Sequence, residues 1–449
     1  MPFQLTTEFL SQIEQLIARK DGLALKELLR DYHFADIAEI IEELKSDEAT
    51  FLIQSLESDI TSEALMEVDE DVREKILDRL SPKEIAEELE EMDTDDAADV
   101  IAELDEEIQQ AVIQKIEDEE HVADIVELLK YDDDTAGALM AKELVQVKET
   151  WTVAGCVREM RRQAENVTRV HSIYVTNKEG KLIGRLSLKD LLTADEKTKI
   201  SQVFIPKVDY VTVHTENEDV ARIMQKYDLE AIPVVDEQGT LMGRITIDDI
   251  VDFIIDEAEK DYQLAAGISQ DVEADDNIFL LTRARLPWLV LGLFGGLGSV
   301  YIMKGFDEAI NSYIELFFFT PLIAAMAGNV GVQSSAIIVQ GLANDIIKGS
   351  LFNRLLKEVG LALINGLALG LLVILFGYIT KMDQIVSITI ALSMLCVIIV
   401  AALVGTFVPI ILDKRGIDPA IATGPFITTS NDIFGIFLFF YISKLMLGF

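Results

Sequence analysis

The segment YIELFFFTPLIAAMAGNVGVQSSAIIVQGL, residues 313–342, decides the fold class of the C-terminal part of the chain. It is apolar and long enough to cross a bilayer as a helix, which takes about 20 residues. Its middle contains Asn329 and Gln333, which lie four positions apart and therefore on one helical face. Polar side chains inside a membrane are costly unless they face a cavity or a partner. The segment therefore predicts a membrane span with a functional polar face.

Similar apolar segments follow one another from Leu286 onward. They predict an all-α membrane domain over residues 276–449 that crosses the bilayer five times. The predicted spans are Pro287–Met303, Tyr313–Leu342, Val359–Thr380, Ile385–Leu412 and Ile421–Leu447.

The Lys and Arg residues between these spans predict the orientation, because cytoplasmic loops are enriched in them. A cytoplasmic N-terminus and an outer C-terminus place more of these residues inside than outside. The residues assigned to the cytoplasm are Arg283, Arg285, Lys348, Arg354, Lys357, Lys414 and Arg415, and those assigned outside are Lys304, Lys381 and Lys444.

The charge of the chain is confined to its first part. From Asp276 onward there are ten acidic and ten basic residues, so the whole net charge of −40 belongs to residues 1–275. Nucleic acid is excluded as a partner, because binding it depends on Lys and Arg. The carboxylates suit cations, although they can also serve only for solubility. The start, MPFQLTTEFL, lacks the pattern of a cleaved signal peptide, so residues 1–275 are expected to be cytoplasmic.

An amphipathic pattern of eight residues recurs about every twelve residues in residues 1–131. Helices this short are unstable alone, so we expect them to stack into an α-helical superhelical N domain with the acidic residues facing outward. Ser81-Pro82 and Asp93-Thr94-Asp95 are predicted helix starts. The repeats are IAEIIEEL at 37, ATFLIQSL at 49, TSEALMEV at 61, REKILDRL at 73, IAEELEEM at 85, AADVIAEL at 97, QQAVIQKI at 109 and VADIVELL at 122.

A second repeat, with a period of 59 residues, lies in residues 132–247. IYVTNKEGKLIGRLSLKD from Ile173 aligns with IPVVDEQGTLMGRITIDD from Ile232. Each copy reads as strand, glycine turn, strand and helix, and the pair resembles α/β tandem CBS domains. That resemblance implies a possible adenosine nucleotide site, with ATP as a modulator. Its hydroxyl and carboxylate residues would be Ser187, Asp190, Thr246 and Asp249.

An acidic amphipathic helix is predicted from Asp248 to Leu264, followed by a break at Gly267. Residues 248–275 would then connect the CBS pair to the membrane domain. A helix in this position can transmit movement between the two.

Asp432 is the most informative residue of the predicted spans. It lies inside the fifth one, in ITTSNDIFGIFLFF, and needs a partner helix, a proton or a passing cation. Mg²⁺ takes six oxygen ligands and gives up its water reluctantly, so Asp432, Asn329 and nearby backbone oxygens could line its path. The glycines Gly328 and Gly331 permit either a close helix approach or a local break in the helix.

The whole chain resembles the MgtE family of bacterial Mg²⁺ channels or transporters. The resemblance rests on the order of the three parts and, most specifically, on Pro321, Gly328, Asn329, Gly331, Gln333, Asp418-Pro419 and Asp432. It implies a multi-pass protein of the bacterial inner membrane and a homodimer with its pore, including Asp432, at the subunit interface.

The resemblance also implies that cytosolic Mg²⁺ closes the pore by binding acidic residues of the N domain, the CBS pair and the connecting, or plug, helix. Apposed carboxylates repel one another, so a divalent cation between them favours a compact state. The candidate regulatory residues are Asp93, Asp95, Asp96, Asp248, Asp249, Asp252, Asp256, Glu257, Glu259 and Asp418.

Three functions remain open from the residues: a Mg²⁺-gated Mg²⁺ channel, a carrier exchanging Mg²⁺ or Co²⁺ for Na⁺ or H⁺, and a membrane-anchored Mg²⁺ sensor. Selectivity among Mg²⁺, Co²⁺, Mn²⁺ and Ca²⁺ is equally open. An enzyme is not expected, because the sequence offers no nucleophile with a matching base. The two cysteines, Cys156 and Cys396, give neither a disulfide framework nor a thiolate metal site.

Overall fold

The computed structural model describes residues 3–163, 170, 172–270, 272, 274, 276–343, 347 and 350–448. Lys348, which counted toward the predicted orientation, lies outside the described residues. The chain divides into two compact units, one ending at Ile254 and the other beginning at Ile255. Each unit has a buried apolar core of its own.

Short helices follow one another through the first part of the first unit. The predicted repeats correspond to α3 through α10 and are confirmed, whereas α1 and α2 lie upstream of the pattern and were not predicted. The helices are α1 (Thr7–Ala18), α2 (Gly22–Leu29), α3 (Phe34–Glu42), α4 (Ser46–Ile53), α5 (Ser58–Met66), α6 (Glu70–Leu77), α7 (Pro82–Leu89), α8 (Thr94–Glu103), α9 (Glu106–Ile113) and α10 (Glu119–Leu128).

Both predicted helix starts are at the right positions. Ser81 caps α7, since its hydroxyl accepts the N–H of Glu84 at 3.3 Å and its own N–H donates to the Glu84 carboxylate at 2.8 Å. Pro82 then occupies the first helical position, where a missing N–H costs nothing. Asp93 holds the same place before α8 but makes no capping bond. Its carboxylate is therefore available for another role.

Helices two apart in sequence pack against each other, as α3 does on α5, α5 on α7 and α8 on α10. Arg73 of α6 links such neighbours. Its guanidinium donates to the carbonyl oxygen of Leu65 in the last turn of α5 at 3.2 Å and to that of Val68, just after α5, at 3.3 Å. It also forms an ion pair with Glu103 of α8. The predicted stacking is thus confirmed.

The expectation that the acidic residues of these helices face outward is wrong at two positions. Glu88 and Asp95 each leave only 8% of their surface exposed. Glu88 lies within the helical stack, where the Thr61 hydroxyl donates to it at 2.5 Å. Asp95 lies at the start of α8, beside the segment that leads into the following domain. Burial of a carboxylate costs free energy, so each needs a hydrogen bond, a proton or a cation.

Two three-stranded sheets with the same topology complete the first unit. In each sheet the first strand pairs parallel with the second, and the second pairs antiparallel with the third. Gly180 and Gly239 form the intervening turns at φ of +85° and +83°, which favours glycine. The predicted repeat is confirmed. The elements are β1 (Val145–Lys148), α11 (Val153–Gln163), β2 (Ile173–Thr176), β3 (Leu182–Leu186), α12 (Leu188–Thr193), β4 (Val211–Thr212), α13 (Asn217–Tyr227), β5 (Ala231–Val235) and β6 (Leu241–Thr246).

The connecting helix, α14, runs from Ile247 to Ala266 and ends at Gly267, at the predicted break. Gly267 has φ of +82°, a conformation that stops a helix at little cost only for glycine. Beyond it, Ser269 donates its N–H and its hydroxyl to the carbonyl oxygen of Ala284, at 3.1 and 2.9 Å. The chain therefore turns sharply between the connecting helix and the next helix.

Among the described residues of the second unit, five helices are long and apolar enough to cross a membrane. They match the predicted spans, but the first begins at Ile278, nine residues before its predicted start, and the third begins at Leu351, eight residues before its predicted start. A short helix, α16, was not predicted. The helices are α15 (Ile278–Lys304), α16 (Asp307–Ser312), α17 (Ile314–Ala343), α18 (Leu351–Thr380), α19 (Gln384–Asp413) and α20 (Gly424–Leu447).

The glycines of α17 serve close packing and do not break the helix, which is continuous from Ile314 to Ala343. A Cβ at Gly405 of α19 would overlap the carbonyl oxygen of Gly331, so the two backbones are in direct contact. Of the two predicted uses of Gly328 and Gly331, the local break is wrong, and the close approach is confirmed at Gly331. Membrane helices use small residues such as glycine where their backbones approach closely.

Candidate functional site

An acidic cluster, Asp93, Asp95 and Glu143, forms where the start of α8 meets the segment before β1. Carboxylate oxygens of the three residues lie within 4.8 Å of one another. Asp93 and Asp95 flank the first turn of α8, and Glu143 belongs to the segment that leads into the first sheet. Because Mg²⁺ prefers oxygen ligands, one hydrated cation could contact all three carboxylates.

Thr94 holds the two sides of the acidic cluster together. Its N–H and its hydroxyl donate to the same oxygen of Glu143, Oε2, at 3.3 and 3.0 Å. The hydroxyl also accepts the N–H of Lys142 at 2.9 Å. These bonds hold Glu143 beside α8 through Oε2. Its second carboxylate oxygen, Oε1, is not bound by Thr94.

The acidic cluster is short of positive charge. Burial, and then the neighbouring Glu143, raises the pKa of Asp93 to about 6, although Arg244 opposes the shift. The Arg244 guanidinium lies 3.6 Å from the Asp93 carboxylate. Burial also raises the pKa of Asp95 well above its usual range, and nearby carboxylates add to the effect. A divalent cation would relieve this repulsion, because it compensates two negative charges at once.

Two further predicted residues, Asp96 and Asp249, share the electrostatic environment of the acidic cluster. Burial raises the pKa of Asp96, and the charges of Asp93 and Asp249 raise it further. Burial likewise raises the pKa of Asp249, against the hydrogen bonds that its carboxylate accepts from Thr246. The first turn of α14 is thereby joined electrostatically to the start of α8.

A cleft of about 860 Å³ opens beside the acidic cluster and includes Asp93 and Glu143 in its wall. It is wide enough to admit a hydrated cation. Its negative lining would raise the local concentration of cations. The other acidic residues of the wall are Glu90, Glu91, Asp118, Glu120 and Asp124.

The other predicted regulatory residues do not belong to the acidic cluster. Asp248 and Asp252 are exposed on α14 within the first unit. Asp256 and Glu259 are exposed in the second unit, where Glu257 forms an ion pair with Lys260 at 3.2 Å.

Asp418, in the second unit, caps a short 3-10 helix (Pro419–Ala422) just before α20 and accepts the N–H of Ala420 at 2.7 Å. This bond gives Asp418 a structural role of its own. Its part in regulation stays a prediction.

The four predicted nucleotide residues form two equivalent pairs. The Ser187 hydroxyl donates to Asp190, and the Thr246 hydroxyl donates to Asp249, each at 2.6 Å. In both pairs the carboxylate lies in the first turn of the helix that follows the third strand. Helix capping accounts for these contacts, and the pairs also place one hydroxyl and one carboxylate at the same point of each CBS repeat.

In the membrane domain Asp432 lies half-buried on α20. Its Oδ1 is 3.7 Å from the point where a Cβ at Gly328 would lie, and the side chain of Thr428 meets the same point at 3.5 Å. Asp432 therefore contacts α17 at a glycine. Asn329 and Gln333, the predicted polar face of α17, are exposed within the described chain and point away from its core.

Sequence reasoning missed Glu143 as a member of the acidic cluster, and it missed Thr94 and Arg244 as the residues that contact the cluster. Glu143 comes 48 positions after Asp95, in a segment with no motif, and Arg244 is on β6. The tertiary structure alone brings these side chains together. The surplus of negative charge pointed to cation binding in general but not to these partners.

Comparison with known proteins gives matches to the N domain, the CBS pair and the membrane domain separately. A model described as "Divalent cation transporter" matches residues 320–442, one described as "MgtE intracellular N domain" matches 32–134, and the CBS domain matches 136–197 and 200–256. The magnesium transporter MgtE of Enterococcus faecalis is 36% identical over 73% of this chain and 72% of its own length. The chain belongs to the MgtE family of magnesium transporters.

Other MgtE proteins give the same result. The magnesium transporter MgtE of Thermus thermophilus is 34% identical over 72% of this chain and 73% of its own length. A crystal structure of the cytosolic domain of the Mg²⁺ channel MgtE in complex with ATP covers 54% of this chain and 99% of the solved chain, at 34% identity and a TM-score of 0.52. The chain is thus a multi-pass membrane protein whose first part has the fold of the solved MgtE domain.

Proposed function

We propose that this chain is a Mg²⁺ channel that admits Mg²⁺ through a pore containing Asp432 and closes when cytosolic Mg²⁺ binds its acidic first unit. The observation that carries the pore is the placement of Asp432 on an apolar helix, half-buried against Gly328, with the polar Asn329 exposed on the next position of α17. A carboxylate and an amide in such surroundings suit a partly hydrated Mg²⁺ ion.

A homodimer would explain why polar side chains of the membrane domain are exposed on a single chain. Asn329 and Gln333 are polar, exposed and on a helix of the membrane domain, where lipid is an unfavourable neighbour. In a symmetric pair the same face of both chains would line one water-filled path. The first unit, including the N-terminus, is then cytoplasmic, and the membrane is the bacterial inner membrane.

Asp432→Asn tests the pore. The change keeps the size of the side chain and removes its charge, so we expect Mg²⁺ influx into proteoliposomes to fall by at least tenfold at limiting Mg²⁺. Asp383→Asn is the matched control, since Asp383 is exposed at the start of α19 and asparagine caps a helix equally well. Equal influx through both variants would reject Asp432 as a pore residue, whereas a wild-type protein that gives no more influx than protein-free liposomes would favour the sensor function.

A channel and a carrier differ in their unitary rates. Patch-clamp recording of the reconstituted protein should give resolvable single-channel Mg²⁺ currents. Transport that instead requires an opposing Na⁺ or H⁺ gradient, without such currents, would establish the exchange carrier.

Closure by Mg²⁺ is supported by the acidic cluster Asp93, Asp95 and Glu143, which joins the N domain to the CBS region. Removing residues 1–131 deletes two of its three carboxylates. The shortened protein should still conduct but should close only at higher cytosolic Mg²⁺. An unchanged dose response would exclude the N domain from gating.

The end of the connecting helix offers a route from the regulator to the pore within the second unit. A Cβ at Gly267, just beyond α14, would overlap Pro425, and one at Gly424 would overlap the carbonyl oxygen of Ala265. The end of α14 therefore rests directly on the start of α20. Asp432 lies about two turns further along that helix.

ATP is proposed as a modulator through the pairs Ser187–Asp190 and Thr246–Asp249. The support is the equivalent placement of the two pairs and the ATP bound by the related cytosolic domain. Titration calorimetry with ATP on wild type and Asp190→Asn measures it. Identical affinities would remove the first pair from the site.

A further inference from the structure

Asn431 is a deeply buried polar side chain next to the proposed pore residue. It precedes Asp432 on α20 and is only 1% exposed. Neither its Oδ1 nor its Nδ2 has a hydrogen-bond partner among the residues the structure describes. No bond therefore tethers this amide, and its place is set by the shape of its surroundings.

Gly331 provides the space in which Asn431 lies. A Cβ at Gly331 would overlap the Asn431 amide nitrogen and would come within 2.7 Å of Ile427 on the same helix. Relief by moving α17 the other way is blocked, because Gly405 of α19 already touches the Gly331 backbone. Three helices, α17, α19 and α20, thus approach one another closely at Gly331.

The situation one turn earlier on α17 is different. A Cβ at Gly328 would meet Thr428 at 3.5 Å and Asp432 at 3.7 Å, which are ordinary van der Waals distances. The contact at Gly331 is therefore tight, and the contact that includes Asp432 has room. The contact between Gly331 and Asn431 therefore restricts the position of α20, and the Asp432 carboxylate moves with that helix.

We infer that Asn431 is a positioning residue, and that its fit against Gly331 sets the rotation of α20 and hence the place of Asp432. Asn431 and Asp432 are successive residues of one helix, and their side chains point about 100° apart. A rotation of α20 that moves Asn431 away from a new methyl group at Gly331 therefore turns Asp432 through the same angle. The inference concerns the placement of Asp432. It rests on the proposed pore only for its effect on transport.

The test measures placement without relying on Mg²⁺. In a full-length chain with Cys156→Ser, Cys396→Ala and Ile427→Ala, the last of which removes the other atom that a Cβ at Gly331 would overlap, Asp432→Cys is labelled with a charged methanethiosulfonate reagent. Adding Gly331→Ala should change the labelling rate by at least tenfold, and Gly331→Ala with Asn431→Ala should return it to within threefold. Gly360→Ala is the control, since a Cβ there meets nothing within 4 Å in the described chain, and should leave the rate unchanged.

A labelling rate unaffected by Gly331→Ala would overturn the inference, as would a double variant that labels like Gly331→Ala alone. If Gly331→Ala yields no folded protein, Asn431→Ala must restore a single peak in size-exclusion chromatography, and failure to do so also overturns it. The same variants with Asp432 intact should raise the half-saturating Mg²⁺ concentration for influx and then restore it. Labelling that responds as expected while Asp432→Asn transports normally would reject the proposed pore and leave the positioning role in place.

Discussion

Replacing Asp95 with asparagine removes one charge of the acidic cluster while keeping the size of the side chain. Asp95 is almost fully buried, and its carboxylate lies within 4.8 Å of those of Asp93 and Glu143. Two unit charges 4.8 Å apart repel by about 3.5 kcal/mol at an effective dielectric constant of 20. At a pH where all three carboxylates are ionised, the variant abolishes two of the three repulsive pairs, so the metal-free protein should become more stable.

The response to Mg²⁺ should change in the opposite direction. At a Mg²⁺ concentration of about 100 times the dissociation constant, binding stabilises the native state by about 2.7 kcal/mol. For a unit of this size that corresponds to a rise of roughly 5–11 °C in melting temperature. A loss of roughly 100-fold in affinity leaves about 0.4 kcal/mol at the same Mg²⁺ concentration, a rise of only about 1–2 °C.

The assay is thermal unfolding of the detergent-solubilised full chain with EDTA or with Mg²⁺, in a Trp288→Phe background, so that the fluorescence of Trp151 reports on the first unit. Glu107→Gln is the matched control. Glu107 occupies the same position in α9 that Asp95 occupies in α8, but it is exposed. Its variant should keep the full Mg²⁺ response.

An Asp95→Asn variant whose melting temperature rises with Mg²⁺ as much as that of the wild type would refute the assignment of the acidic cluster as a Mg²⁺ site. A variant that is less stable than the wild type in EDTA would refute the electrostatic reasoning, whatever its Mg²⁺ response.

Three further predictions concern stability and gating. Burial raises the pKa of Glu88 from 4.5 to about 7, so native stability should fall as pH rises through about 7, by on the order of 3 kcal/mol. Glu88→Gln should flatten that dependence in a pH series of urea unfolding, and an unchanged slope would contradict the argument. Arg73→Met removes the cation beside the partly buried Glu103 and should cost about 3 kcal/mol of unfolding free energy in urea, whereas a loss under about 1 kcal/mol would show that the pair matters little. Gly267→Ala should clash with Pro425 and shift the Mg²⁺ concentration that half-closes the channel, measured by patch clamp; an unmoved value would remove this contact from the gating route.

The sequence was sufficient for the elements whose signal is local. The five spans follow from apolar length alone, and the stacked helices and paired sheets follow from periods of about twelve and 59 residues. Where the local signal was weak the predictions failed. The start of α15 at Ile278 was missed because Arg283 and Arg285 interrupt the apolar run, although a helix tolerates them outside the hydrocarbon.

Asp432 and the charge surplus could be recognised from the sequence, because a carboxylate in an apolar span and 40 excess negative charges are anomalous wherever they fold. The tertiary structure alone decided which carboxylates meet. Glu143 joins Asp93 and Asp95 across 48 positions of chain, and Asn431 fits against Gly331 across a hundred. Such contacts depend on how helices and sheets pack, and packing is set by the sum of many distant side chains, so no local pattern records it.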